Sequence, residues 1–410
     1  MTEIETKFLE DDAMVKKIKD QIEKEQMIYL PRRQDERFKY TDLNRLIGDV
    51  EIKPIEEVTE FTKISQIISQ LKYENYLVLI NGKLNLELSD YKSHEVSISL
   101  SDLTEIKTID YNLHPMALIN HQTNQSALKI NIKQSIDIPL VILSIITDQA
   151  NDNWVQPSIL IQIKSHAKAF VKEEILDLSS TEKPVVLNAL TSIVVEKNAN
   201  LSYSNQTKNG ENLKVVLGLH VNQAENSEFN YNHTATDALL YRHDIHVNLN
   251  EKYAKTNLKG IAFLSDNAHI DHHVIIEHKA SNTQSNANFR AVASGKSIFV
   301  CNPKAIVHKG LKEIIAHQNS RNLSLDDFAS INTKPELEIY SDDVQCTHGA
   351  TIGQLDKQAL FYLQSRGISE DYAYQLLIEA FLFSIIENFE ESSKENAKMI
   401  ILEKMNNYFI

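Results

Sequence analysis

Apolar residues along this chain keep three different rhythms, and each predicts a different kind of element. Met14, Ile18, Ile22 and Met27 recur at helical spacing, which predicts an amphipathic helix over residues 12–28. Leu30-Pro31-Arg32-Arg33 breaks it, and Thr41 or Asp42 can cap a short helix within Gln34–Ile47. A second helical run from Glu57 to Tyr73 places Val58, Phe61, Ile64, Ile67, Ile68 and Leu71 on one face. At Tyr76 the rhythm shortens: YLVLI and KLNLEL flank Asn81-Gly82, a hairpin signal. From about Leu128 to Ile339 short apolar or alternating runs dominate, among them ALKINI, IPLVILSII, VVLNALTSIVV, LKVVLGLHV and HHVIIEH. So many short strands at close spacing predict a sandwich, a barrel or a β-solenoid. No strict hexapeptide repeat is present. The region is long for one sandwich, however, and its strand–polar turn–strand units recur without hairpin-type Asn-Gly or Asp-Gly turns, which favours the solenoid.

After Asp356 the helical period returns. Lys357 to Ser365 predicts a short helix with Arg366 in its last turn and Gly367 just beyond. Ser369 can cap the next helix, whose first turn holds Glu370 and Asp371. That helix, YAYQLLIEAFLFSIIENF, is apolar on nearly every side, so it is either central in a bundle or partly covered by a partner protein. Ser392 to Glu395 matches a capping box opening a final helix with Met399, Ile400, Leu402 and Met405 as its apolar face.

Composition narrows the function classes. The formal charge of −14 argues against broad nucleic-acid or anionic-membrane binding, which needs a basic face. No apolar stretch is long enough for a transmembrane helix, and the charged N-terminus carries no secretory signal. Two cysteines in 410 residues fit a reducing compartment, so a cytoplasmic protein is expected. Only 10 residues are glycine, which disfavours phosphate-cradling loops. The segment Arg290-AVAS-Gly295-Lys296-Ser297 ends like a P-loop, but Arg290 stands where the first glycine belongs and the run reads as strand.

The densest candidate chemistry lies near the end, in TKPELEIYSDDVQCTHGATIGQLDKQALFYLQSRG (Thr333–Gly367). Cys346 and His348 are two apart, so on a strand they share a face and can converge on one metal. Alone, C-x-H is a weak signal, and a small thiol beside a turn-capping histidine is its plainer reading. Cys301, after Ile298-Phe299-Val300, reads as a packed strand cysteine. His269, Asp271 and His273 alternate to one face with His272 on the other, and His278 follows. Arg242, His243, Asp244 and His246 form a similar group. Polar ladders on a solvated β-helix face are the commoner origin of such groups. No arrangement of Ser/His/Asp or paired carboxylates has the context to propose catalysis.

Thr333–Gly367 closely resembles the C-terminal signature of the SufB/SufD family of iron–sulfur cluster assembly proteins, the SufD branch in particular. QNSRNLSLDDFASI (Gln318–Ile331) resembles the family's preceding strand. LPRRQDERFKYTDL (Leu30–Leu43) resembles a SufD element near the N-terminus, with Phe38 where tryptophan is usual. The middle, from about residue 90 to 255, is diverged. The resemblance implies a mainly β protein: a right-handed parallel β-helix (residues 106–350) between an N-terminal helical region with the hairpin (1–105) and a C-terminal helical domain for ATPase docking (351–410). It implies a non-enzymatic scaffold that pairs with SufB-like and SufC-like (ABC ATPase) proteins, or with itself when isolated. His348, with Cys346, would contribute to a transient iron or nascent Fe–S cluster shared with the partner, since two ligands cannot close a cluster site. The alternatives are a SufB-type primary scaffold accepting persulfide sulfur, to which the low cysteine count is opposed, and a β-helical carbohydrate-active enzyme, which would need a carboxylate groove and usually export.

Overall fold

The computed structural model describes residues 30–409 except 32, 49, 51, 59–60, 104–108, 110–113, 125, 180–182 and 209–212. The helix expected over residues 12–28 lies outside the described residues. From Leu140 to Ile339 the described strands do not pair with their immediate sequence neighbours; each pairs in parallel with a strand of the preceding or following coil. The chain therefore climbs as a β-solenoid of about 8 turns. Two sheets result. The first runs from the hairpin (76–80 with 83–90) through 140–146, 168–177, 200–208, 228–236, 255–264, 284–293 and 314–324 to 344–353. The second runs from 96–102 through 126–132, 158–163, 185–195, 213–223, 240–249, 269–278 and 298–307 to 330–333. Among the described strands only the starting pairs, 76–80 with 83–90 and 96–102 with 126–132, are antiparallel.

The register explains why the sequence shows no strict repeat. Asn200, Glu228, Lys255, Gln284, Ile315 and Gln345 stand side by side in successive coils. One coil thus takes roughly 30 residues, as in other solenoids, but its length varies from coil to coil. The corners also account for the scarcity of glycine. Left-handed backbone recurs at His166, Asn198, Asn226, Tyr253, Asn282 and Glu313; asparagine tolerates this conformation better than most residues. Stacked asparagines join neighbouring corners, as where Asn226 Nδ2 donates to Asn198 Oδ1 at 2.7 Å. Gly295 is needed where it stands: at φ +65° a Cβ there would lie 2.8 Å from the Asp266 backbone nitrogen of the adjacent coil. The P-loop-like segment is thus a strand, a tight corner and another strand (298–307), with no helix following.

Alternating residues turn inward to make one long core, including Leu201, Phe229, Leu217, Ile245, Val274 and Ala291. An aromatic and histidine column, Tyr203, Tyr231, His233, His243 and His272, runs through it with ring centroids 5–6 Å apart. Helices cover the outer faces. Residues 30–50, with α1 (Leu43–Ile47), pack on the second sheet. There Asp42 accepts from Arg45 N as the cap of α1, and Trp154 Nε1 donates to Val50 O at 2.7 Å. α2 (Thr62–Leu71) covers the start of the first sheet through Ile64 and Ile68. α3 (Pro115–Thr123) lies on strands 185–195 and 213–223.

The C-terminal helices are α4 (Lys357–Ser365), α5 (Glu370–Ile386) and α6 (Glu391–Tyr408). Ser369 accepts from Tyr372 N to cap α5. Ile378, Leu382, Ile385 and Ile386 of α5 and Ala397, Ile401 and Met405 of α6 close over Ile261, Phe263 and Val292 of the first sheet. Each of the larger of these side chains contributes about 1.5–3 kcal/mol through burial. The apolar girth of α5 thus serves a sheet on one side and α6 on another rather than the centre of a bundle. The expected capping box at Ser392 does not form. α6 begins at Glu391 with Glu390 before it and no side-chain cap. Ser393 is instead buried, donating to Glu390 O and receiving Asn232 Nδ2 of the sheet, so docking onto the sheet sets the start of the helix. Among the described residues no helix is long and apolar enough to cross a membrane.

Candidate functional site

Strand 344–353 is the last of the first sheet; it pairs with 314–324 on one side, and no described strand pairs with its other edge. Parallel register sets Cys346 beside Ala316 and His348 beside Gln318. Ala316 and Gln318 are buried inward-facing residues of the coil before, so Cys346 and His348 project on the same inner face at the open end of the solenoid. With no further coil stacked on them, His348 is exposed and Cys346 half-buried. On the other face Thr347 Oγ1 meets His317 Nδ1 at 2.7 Å and steadies the strand. Burial raises the Cys346 thiol above its ordinary value, a hydrogen bond with the Ala316 backbone working against it. A soft metal bound there would therefore displace a proton.

The open end also exposes Phe328, Ile339, Tyr340 and Ile352. Large apolar side chains beside a free strand edge are the ingredients of strand-to-strand association. At the C-terminal helices a second apolar group is exposed: Phe361 and Tyr362 of α4, which buries no residue, with Tyr372 and Met399.

The other candidates fall elsewhere. Cys301 is fully buried in the core, its thiol pushed up to about 12 by burial against a hydrogen bond with Ser320. His272 lies on the face opposite His269, Asp271 and His273, as alternation predicts; that face is the inner one, where it joins the aromatic column, and burial lowers its pKa to about 4. His278 is held between Thr283 Oγ1 (2.8 Å) and Ser285 Oγ (2.9 Å). Arg242, Asp244, His269, Asp271 and His273 lie on the outward face, but they are not a solvated ladder. Residues 36–47 fold back over them and bury Arg242. Its guanidinium bonds Asp244 Oδ1 (2.8 Å), Asp271 Oδ2 (2.7 Å) and the Arg37 carbonyl (3.0 Å), and sits 4.0 Å from the centre of the Phe38 ring. Thr41 hydrogen-bonds both Asp271 and His269 Nε2. Burial works to raise the pKa of Asp271, but His273, 3.1 Å away, and Arg242 hold it well below the ordinary value. Every member is engaged by a protein partner, so the group is a buried ion-pair network that fastens Leu30–Leu43 to the sheet.

Local pattern did not reveal His114 and His220, which meet His246 in a buried cluster. His220 and His246 stand one coil apart in direct register, a signal visible only once the coil length is known.

The family model described as "SUF system FeS cluster assembly, SufBD core domain" matches residues 145–381, more than half of the chain. An iron-sulfur cluster assembly SufBD family protein of Synechocystis is 26% identical, over 92% of this chain and 88% of its own length. The iron-sulfur cluster assembly protein SufD of Escherichia coli is 27% identical, over 87% of this chain and 85% of its own. The chloroplastic protein ABCI7 of Arabidopsis is 26% identical, over 88% and 79%.

Proposed function

The chain belongs to the SufBD family of the SUF iron–sulfur cluster assembly system, and from that premise we propose that it is a SufD-type scaffold subunit. It works without catalytic turnover in the cytoplasm. Its open end pairs with a SufB-like subunit, and its C-terminal helices receive a SufC-like ATPase. His348, with Cys346, gives two of the ligands to iron or nascent cluster held between the subunits, and the partner gives the rest. The observation that carries this reading is the free strand 344–353, which sets an imidazole and a thiol on one face at the rim of the solenoid, where Phe328, Ile339, Tyr340 and Ile352 are also exposed. A cluster site with only two ligands is incomplete, and an unpaired strand edge supplies backbone donors and acceptors for a second chain. The exposed Phe361, Tyr362 and Tyr372 support the helices as the ATPase surface. The isolated chain can use the same edge to form a homodimer.

The test is co-purification with SufB-like and SufC-like proteins followed by anaerobic cluster loading. The complex should form with the wild-type chain and with His348→Ala, while loading falls in the variant. Failure to bind either partner sinks the scaffold reading. Binding with unchanged loading sinks only the ligand role of His348.

A further inference from the structure

Five ring nitrogens without a hydrogen-bond partner are gathered in one buried place: both of His114, both of His220 and Nδ1 of His246. The three residues are at most 2% exposed. A neutral imidazole carries one N–H and one lone pair, and a buried polar group left unpaired costs about 1–3 kcal/mol. Folded proteins hold few such groups, and five of them on three touching rings make a place that a shared ligand would satisfy. One ring nitrogen of each histidine lies within 4.8 Å of those of the other two. The ring centroids are 4.3 Å apart for His114–His220, 5.3 Å for His114–His246 and 5.9 Å for His220–His246.

The fold delivers the three rings from fixed elements. His220 and His246 are register partners on parallel strands 213–223 and 240–249. They face outward, since Leu219, Val221, Ile245 and Val247 between and beside them enter the core. His114 precedes α3 at its cap position, but its side chain makes no capping hydrogen bond. α3 itself is pinned: Asn120 Nδ2 donates to the Pro157 and Asn188 carbonyls, and Asn188 Nδ2 donates back to Met116 O at 3.1 Å.

A carboxylate completes the arrangement. His246 Nε2 meets Glu277 Oε1 at 2.7 Å, and Nδ1 is its ring nitrogen without a hydrogen-bond partner. Glu277 also meets His308 Nε2 at 2.9 Å. A carboxylate behind a histidine is the usual second support of a metal ligand, fixing the tautomer and strengthening the donor.

We propose that His114, His220 and His246 bind one divalent first-row transition ion, zinc by preference, and that the ion clamps α3 to the second sheet. A set of three imidazoles suits zinc and its neighbours rather than calcium or magnesium. This site is separate from Cys346 and His348, which lie on the other sheet, and stands whether or not those residues hold iron.

The experiment uses the untagged full-length chain, stripped with a chelator and titrated with Zn²⁺ against a chromophoric competitor. One equivalent should bind, X-ray absorption of the wild-type zinc form should show three imidazole nitrogens at about 2.0–2.1 Å, and the thermal midpoint should rise on metal addition. Glu277→Gln should weaken binding about 10–100-fold, His220→Gln should abolish it, and Cys346→Ser with His348→Ala should leave it unchanged. No uptake by the wild-type chain, fewer than three imidazoles around the bound zinc, or full binding by His220→Gln would overturn the proposal. The absorption measurement is made on the wild type, so it decides the matter even where His220→Gln does not fold.

Discussion

Two patches of the solenoid carry histidine beside a second ligand-type residue in opposite surroundings. On the flank of the second sheet, Arg242, Asp244, His269 and Asp271 are sealed under residues 36–47, each with a partner within this chain. At the end of the first sheet, His348 and Cys346 sit at an open rim whose outer strand edge has no partner among the described residues. The difference teaches where to look for function. A residue whose hydrogen-bonding and charge requirements are met inside the chain stabilises the fold, and one whose requirements are left to another molecule marks an interface.

The comparison breaks most visibly if the sealed network is opened. Arg242→Ala leaves Asp244 and Asp271 buried without their guanidinium, and should cost about 3–5 kcal/mol in urea unfolding. A loss below 1 kcal/mol would mean that the flank is open to water after all.

A second, smaller effect comes from pH. Burial depresses the pKa of His272 and of His278 to about 4. The unfolded chain, with histidine near the ordinary 6.5, then binds more protons than the folded one between those values. Their contribution is complete above pH 6.5 and is lost as pH falls towards 4, at a slope of about 1 kcal/mol per pH unit for each fully buried ring. Asp271 and Glu277 act in the same direction lower down. Their folded pKa values lie below the ordinary carboxylate range, so the stability they add is present above it and lost in stronger acid. Urea midpoints at pH 7, 6 and 5 should fall steadily; a flat profile would count against buried neutral histidines.

The rim should answer differently. Phe328→Ser and Ile352→Ser remove exposed apolar surface and should change stability by no more than about 0.5 kcal/mol, yet abolish pairing with a SufB-like partner in analytical ultracentrifugation. Persistent pairing would move the interface elsewhere. Smallest of all is His348→Ala, which should leave the unfolding curve within about 0.5 kcal/mol of wild type while cluster loading drops. A large stability loss there would make His348 a structural residue like those of the flank.

The chain's local elements were legible because their causes are local. Asn81-Gly82 forms the hairpin corner with both residues at positive φ. Asp42, Asp356 and Ser369 accept the backbone N–H bonds of the helices they precede. Strand alternation correctly put His272 on the face opposite His269, Asp271 and His273, and the structure turns His272 inward. The pairing of Cys346 with His348 on one face needed only the two-residue period of a strand.

What failed to appear in the pattern depends on contacts between distant residues. Outward alternation could not say that Thr41 would come to lie on His269 and Asp271, more than two hundred positions away, so a face expected to be solvated is buried. Ser392 had the residues of a capping box, but docking of Ser393 onto Asn232 set the start of α6 instead. Nor could the sequence bring His220 level with His246 or lay His114 across them, because the coils vary in length and their register is fixed only by packing around the common core. Local sequence sufficed for the strands, the hairpin corner and the placing of Cys346 and His348 on one strand face, through steric and hydrogen-bonding rules that act over a few residues. The tertiary structure alone decided which polar residues are sealed and which are left exposed, because burial depends on which segments fold back over which coil.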